Sequence, residues 1–244
     1  MQTRRARAAL ACLDPGRASA MAEAVAAAGF EAAGAAEDFS GALKLVRRVN
    51  VDLLLADAIL PGGDGVALAE AILKSGLERY PDVVLIRPAG LRLPGEDRLA
   101  DCHAAVMDGP VTAEGLERAL TRLRRLPERL PVDRAARLEG LLCDLGVPAH
   151  PGRDMLVHAV TLVWRDRSRI NALRSRVYAE AGRPFGRTAA QAEAAIIHAI
   201  DAAWRGGSME AQEGIFGDTI DARRGRPTCG EMVAHLADIL RWEG

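Results

Sequence analysis

Five short apolar runs, most of them followed by a stretch of helical length, fill residues 1–126, and this alternation restricts the fold more than any other feature of the chain. The runs are Ala8–Leu13, Phe30–Ala35, Asp52–Ala56, Val83–Ile86 and Ala104–Met107. The intervening stretches predict helices over Arg17–Ala28, ending at Gly29, then Ser40–Val49, Val66–Leu77 and Thr112–Leu126, the last with Thr112 as its N-cap. Between Pro88 and Ala100, two prolines and two glycines leave room for only a short helix. Repeated β-then-α units of this length make a parallel sheet covered on both faces. The expectation is therefore a doubly wound, five-stranded parallel sheet over residues 1–126.

After residue 126 the pattern changes. Pro127–Asp133 holds two prolines and no periodicity, and reads as a linker. From residue 134 to 244 the pattern is entirely helical. Helices are expected near Arg134–Leu145, Asp154–Arg165, Arg169–Ala181, Thr188–Trp204 and Cys229–Trp242, with a short one near Met209–Ile215. Gly206-Gly207 reads as a helix stop, and Pro227 as the first residue of the last helix.

Thr188–Trp204 is the strongest helix. Ala192, Ile196, Ala199 and Ala203 form a stripe that should face a core. The opposite face carries Ala190, Ala194, Ile197, Asp201 and Arg205, with Gln191 and His198 on its flank. Ala and Ile on an outer face mean that the helix packs on both sides or presents itself to a partner.

Composition narrows the function classes. The 244 residues carry a formal net charge of −1, so nucleic-acid binding would have to rest on a local patch. No apolar run approaches a membrane span. Asp14 and Pro15 end the first apolar run too early for a signal peptide. Cys12, Cys102, Cys143 and Cys229 stand far apart, as reduced cysteines of a cytoplasmic protein would, and the five His are scattered, which argues against a zinc site. The sequence holds no nucleophile–base–orienter set and no Gly-rich phosphate loop, so an enzyme is not expected.

In a doubly wound sheet, ligands sit at the carboxyl ends of the strands, where Asp57 falls. Its surroundings, VDLLLADAILPGGDG, resemble the response-regulator receiver domain around its phosphoacceptor aspartate. The resemblance covers roughly residues 6–126 and rests on the spacing from Asp57 through Pro61 to Asp64-Gly65. It implies a Mg²⁺ ion held by a pair of acids at the end of the first strand, places taken here by Cys12 and Leu13, with Asp14 one place later. It also implies a Ser or Thr where this chain has Arg87, and a Lys where it has Gly109. Two readings follow. Asp14 and Asp57 serve as metal ligands with Arg87 supplying positive charge, or the half is a degenerate receiver kept for dimerisation or docking. Mg²⁺ or Ca²⁺ binding in this pocket is expected to be weak or absent, because one carboxylate offsets little of the ion's dehydration. No cofactor is required.

Residues 134–244 resemble the effector domain of the stage-zero sporulation protein A family. The residues that carry this are Gly146-Val147-Pro148-Ala149-His150, Val177-Tyr178, Phe185, Thr188-Ala189, Glu193, Ala195-Ile196, His198-Ala199-Ile200 and Ala203-Trp204-Arg205-Gly206. Phe216-Gly217, Thr219, Pro227-Thr228, Glu231 and Leu240-Arg241 complete the match. The resemblance implies an all-helical helix-turn-helix domain that binds double-stranded DNA. Arg169–Ala181 would be the supporting helix, Arg183–Arg187 the turn, and Thr188–Trp204 the recognition helix in the major groove. On that helix Ala190, Gln191, Ala194, Ile197 and His198 would face the bases. The family has Arg at the places of Gln191, Ala194 and Ile197. Arg183, Arg187, Arg205, Arg223, Arg224 and Arg226 are candidates for backbone phosphate contacts, which position without specifying.

The resemblance also implies a homodimer or heterodimer through the receiver half. If Asp57 is active, it implies a histidine-kinase or phosphotransferase partner. Two function classes result: a DNA-binding regulator of sporulation or related genes with a degenerate phosphorylation site, or a non-phosphorylatable paralogue acting through protein contacts.

Overall fold

A computed structural model describes residues 5–126, 128–217, 220 and 224–242. It divides into two compact units, Met1–Pro127 and Glu128–Gly244.

The first unit contains β1 (Arg7–Ala11), α1 (Pro15–Ala27), β2 (Glu31–Ala36), α2 (Phe39–Arg48), β3 (Leu53–Asp57), a tight hairpin of β4 (Ile59–Leu60) and β5 (Gly63–Asp64), α3 (Gly65–Leu73), β6 (Asp82–Arg87), β7 (Ala104–Asp108) and α4 (Ala113–Arg125). The five-stranded sheet runs β2-β1-β3-β6-β7, every pair parallel. Counting only its own strands, that is the 2-1-3-4-5 order of flavodoxin-like doubly wound sheets, the fold that the receiver resemblance implies; the alternation had predicted its parallel strands. Leu53–Ala56 are fully buried because β3 lies in the middle of the sheet with both faces covered. On one face, α1 gives Met21 and Val25, and α4 gives Leu116, Leu120 and Leu123, to a core shared with Leu10, Leu55, Ile86 and Met107.

Each of these helices starts on a side-chain cap. Asp14, Asp38, Asp64 and Thr112 accept backbone N–H bonds from Gly16, Gly41, Ala67 and Gly115 respectively. The connection from β6 to β7 holds only a 3₁₀ turn at Glu96–Ala100.

The second unit contains α5 (Val132–Asp144), α6 (Pro151–Arg165), α7 (Tyr178–Gly182), α8 (Ala189–Gly206), α9 (Met209–Phe216) and α10 (Cys229–Trp242). Helix α6 is its centre. Met155, Leu156, Ala159, Val160, Leu162, Val163 and Trp164 are all buried, so it is apolar round most of its circumference. Helix α10 brings Met232, Val233, Leu236, Ala237 and Leu240 into the same core. The buried Arg241 guanidinium donates to the carbonyls of Val163 and Trp164 at the end of α6.

Two expectations are corrected here. The interval 127–133 is not wholly a linker, because α5 already begins at Val132. Glu128, moreover, is held by Arg169, whose Nη2 donates to Oε1 at 2.9 Å. The same guanidinium reaches Glu180 on α7 at 3.2 Å. The expected helix Arg169–Ala181 is also not one helix. It is a 3₁₀ segment (Arg167–Ala172), a π turn (Leu173–Val177) and then α7. Asp166 caps the 3₁₀ start through Ser168 N. The wider π turn delivers Val177 and Tyr178 into the core.

Candidate nucleic-acid interface and acid pocket

The carboxyl edge of the sheet gathers Cys12, Asp14, Asp57, Arg87 and Gly109. Asp57 ends β3 and is mostly buried. Its partner is Arg17, from the first turn of α1, with Nε 2.9 Å from Oδ1. Both atoms lie out of solvent without an aligned hydrogen bond, so the contact is an ion pair held by charge. Burial pushes the Asp57 carboxyl above its usual range; Arg17 opposes that shift, and the nearby Asp14 charge adds to it.

Asp14 itself is exposed, and its Oδ1 accepts the Gly16 N–H at 2.9 Å as the cap of α1. Cys12 is buried, with its thiol against the Asp14 carbonyl, and Leu13 points to solvent. Burial and the Asp57 charge push the Cys12 thiol up. Among the described residues no three His, Cys, Asp or Glu side chains converge as a metal site. A hard divalent cation needs several anionic oxygens. This pocket holds one buried carboxylate already facing a guanidinium, so its residues do not fit the Mg²⁺ or Ca²⁺ ion that the receiver resemblance implies.

Arg87 is not the cation beside Asp57, contrary to the first reading above. It ends β6 and turns the other way, with Nε 2.8 Å from Asp108 and Nη1 2.6 Å from Glu96. Two carboxylates on neighbouring segments outcompete one buried acid for a flexible guanidinium. Arg87 thereby ties the end of β7 and the 3₁₀ turn to β6. Gly109 follows β7, and a Cβ built there would lie 3.9 Å from Nη2 of Arg17. Sequence reasoning missed Arg17. The available signal was its place: a basic residue in the first turn of α1, directly after β1 and so at the same edge of the sheet as the end of β3.

In the second unit the supporting turn and α8 close on each other. Gly182 ends α7, the chain turns through Arg183–Phe185, and Gly186 takes φ 63°, a left-handed conformation suited to glycine. A Cβ on Gly182 would come within 2.8 Å of the Arg187 carbonyl oxygen and 3.0 Å of Ala192 Cβ. Thr188 caps α8, its Oγ1 accepting Gln191 N–H while Gln191 Oε1 accepts Thr188 N–H, a reciprocal capping box. Thr188→Ala is expected to destabilise this unit by about 1 kcal/mol; an unchanged melting transition would show that the cap adds nothing.

Ala192, Ile196, Ala199 and Ala203 are fully buried, as their spacing predicts. Ala190, Gln191, Ala194 and His198 are exposed and Ile197 is half-buried, so the outer face is uncovered within the unit. Gln191 is already used as a cap. His198 lies beside His150, the N-cap of α6, with ring centroids 5.7 Å apart.

The six candidate phosphate-contact arginines separate into groups. Arg183, Arg187 and Arg205 are exposed and form no ion pair among the described residues. Arg226 pairs with Asp201 on α8 at 2.6 Å, and Arg224 pairs with Glu231 at 3.1 Å. Arg223 lies outside the described residues. No helix among the described residues is long and apolar enough to cross a membrane.

A doubly wound unit with an acid at the sheet's carboxyl edge is thus followed in the chain by a helical unit in which a short turn joins α7 to α8. Residues 138–240 match the family described as sporulation initiation factor Spo0A C terminal. The C-terminal unit thus matches the Spo0A C-terminal family, and the resemblance read from its residues is borne out. The first unit is similar to a CheY-like receiver domain from Methylobacillus flagellatus (20% identity, 49% of this chain and 99% of that one, TM-score 0.43). It is also similar to the signal receiver domain of the response regulator NarL from Mycobacterium tuberculosis (21%, 50% and 99%, TM-score 0.42) and to CheY4 of Vibrio cholerae (16%, 49% and 99%, TM-score 0.42).

Proposed function

We propose that this chain is a DNA-binding transcription regulator of the response-regulator class, acting on sporulation or related genes, whose receiver unit does not run a phosphorylation switch. The observation that carries the DNA-binding part is α8: a capped helix, braced by α7 and α6, with an uncovered outer face beside free arginines. The reading of the receiver unit as degenerate rests on Asp57 being paired with Arg17 and on Asp14 serving as a helix cap. No catalytic role is assigned to any residue.

Arg183, Arg187 and Arg205 would hold the DNA backbone. Readout would be modest, because Ala194 and Ile197 offer no hydrogen-bond donor to a base and Gln191 is engaged in its cap. That same apolar face favours a second reading, a protein-contact surface in a paralogue that pairs with a true family member.

Titration against the family operator and against scrambled duplex across salt tests the reading. Tighter operator binding at every salt concentration is the expected result, and equal affinities would sink sequence-specific readout. Within the same assay, Arg187→Ala should weaken both duplexes alike and lower the salt slope by about one. An unchanged slope would remove Arg187 from the interface.

A further inference from the structure

We infer that Arg17 is a resident cation of the acid pocket, doing with a tethered guanidinium what a bound metal ion and a strand-end lysine do in a working receiver. The inference deepens the degenerate-receiver reading and rests on it.

Three independent features converge on Arg17. The first is its charge partner: Nε stands 2.9 Å from Asp57 Oδ1, inside the pocket, with both atoms out of solvent. The second is the place it fills. Gly109 leaves open the position from which a lysine side chain would rise, and a Cβ there would meet Nη2 of Arg17 at 3.9 Å. The third is its location on α1. A positive charge in the first turn of a helix faces the positive end of the dipole, which is unfavourable unless a carboxylate stands near it. The Asp14 carboxylate is spent on the Gly16 N–H at the cap, and Asp57 is the acid that pairs with Arg17.

The acids are arranged to match. The two places that would bring negative charge to a metal hold Cys12, whose thiol burial keeps neutral, and Leu13, which faces solvent. Asp14 turns its carboxylate back onto the Gly16 N–H. A divalent ion entering this pocket would meet a fixed guanidinium before it met enough oxygen ligands. Arg17 already neutralises Asp57 through Oδ1 and so draws nucleophilic charge from the carboxylate. The unit therefore holds one charge state without metal or phosphoryl input.

The test adds a small phosphodonor with Mg²⁺ to the full chain and reads intact mass. Wild type is compared with a form that restores the family's acids and lysine (Cys12→Asp, Leu13→Asp, Gly109→Lys). The same restored form is then made with Arg17→Ala and with Arg17→Gln. A parallel set keeps the buried Cys12 and changes only Leu13→Asp and Gly109→Lys, in case Cys12→Asp does not fold. The expected result is no gain in wild type, and at least about ten-fold more Asp57-dependent phosphorylation when Arg17 is removed than when it stays. Equal transfer with and without Arg17, including none in either, overturns the role given to Arg17 and leaves the degenerate-receiver reading standing. Stoichiometric transfer to Asp57 in wild type overturns both.

Discussion

Gly152→Ala is expected to lower the stability of the C-terminal unit by about 2–3 kcal/mol and to weaken DNA binding with it. Gly152 sits in the first turn of α6, where that helix crosses α8. A Cβ there would overlap the Ala195 carbonyl oxygen and approach Ala199 Cβ at 3.3 Å. Two effects favour alanine: higher helix propensity, worth about 1 kcal/mol, and a less flexible unfolded chain. Both are outweighed, because the obstacle is helix backbone and α8 must move as a body to relieve it. The same displacement would shift the outer face of α8 on which the proposed DNA contact depends.

Tryptophan fluorescence reads this directly, since Trp164, Trp204 and Trp242 all belong to this unit. A fall in Tm on the order of 10 °C is expected. The control is Gly140→Ala in α5, where an added Cβ meets nothing within 4 Å, and where Tm should hold or rise. Equal melting of Gly152→Ala and wild type would mean that the α6–α8 crossing is looser than described.

The second large effect is a gain. Ala194→Arg together with Ile197→Arg should raise affinity for the family operator more than for scrambled duplex. Each bidentate Arg–guanine pair discriminates by about 1–3 kcal/mol, so a ten-fold or greater rise in the affinity ratio is expected. Ala194 is exposed and Ile197 half-buried, so both side chains can be lengthened outward without entering the core stripe. Gln191 is left alone, because changing it would also cost α8 its capping box. If both duplexes tighten equally, the new charges act on phosphates only, and the apolar face is better treated as a protein-contact surface.

These two predictions draw on features of different legibility. The buried stripe and cap of α8 depend on neighbours three or four residues apart, and spacing alone located both. The crossing at Gly152 was not visible in that way. Its need for glycine comes from Ala195, a residue on another helix. The supporting segment was misread for a related reason. Arg169–Ala181 has helical composition, yet the capped start at Asp166 and the core positions of Val177 and Tyr178 divide it into three kinds of turn. Propensity is a weak local preference and tertiary packing overrides it.

The acid site shows the same limit in charge. Asp57 was identifiable from its strand and the spacing to Asp64-Gly65. Its partner was not. Any of several arginines could have been assigned to it, and Arg87, at the end of the next strand in the sheet, was the nearest by topology. In the fold Arg87 is held by Glu96 and Asp108, which leaves the pocket to Arg17. On α8, Asp201 is likewise matched to Arg226 from beyond α9.

The sequence by itself therefore determined the architecture: five strands in a doubly wound unit, a helical unit after it, and a capped helix with one buried and one open face. Those follow from periodicity, capping and apolar runs, which act over a few residues. Only the tertiary structure decided which cation meets Asp57, which arginines are drawn into ion pairs, and where two helices need a glycine between them. Each of those depends on groups far apart in the chain, and a guanidinium on a flexible stem goes to whichever carboxylates the fold brings within its reach.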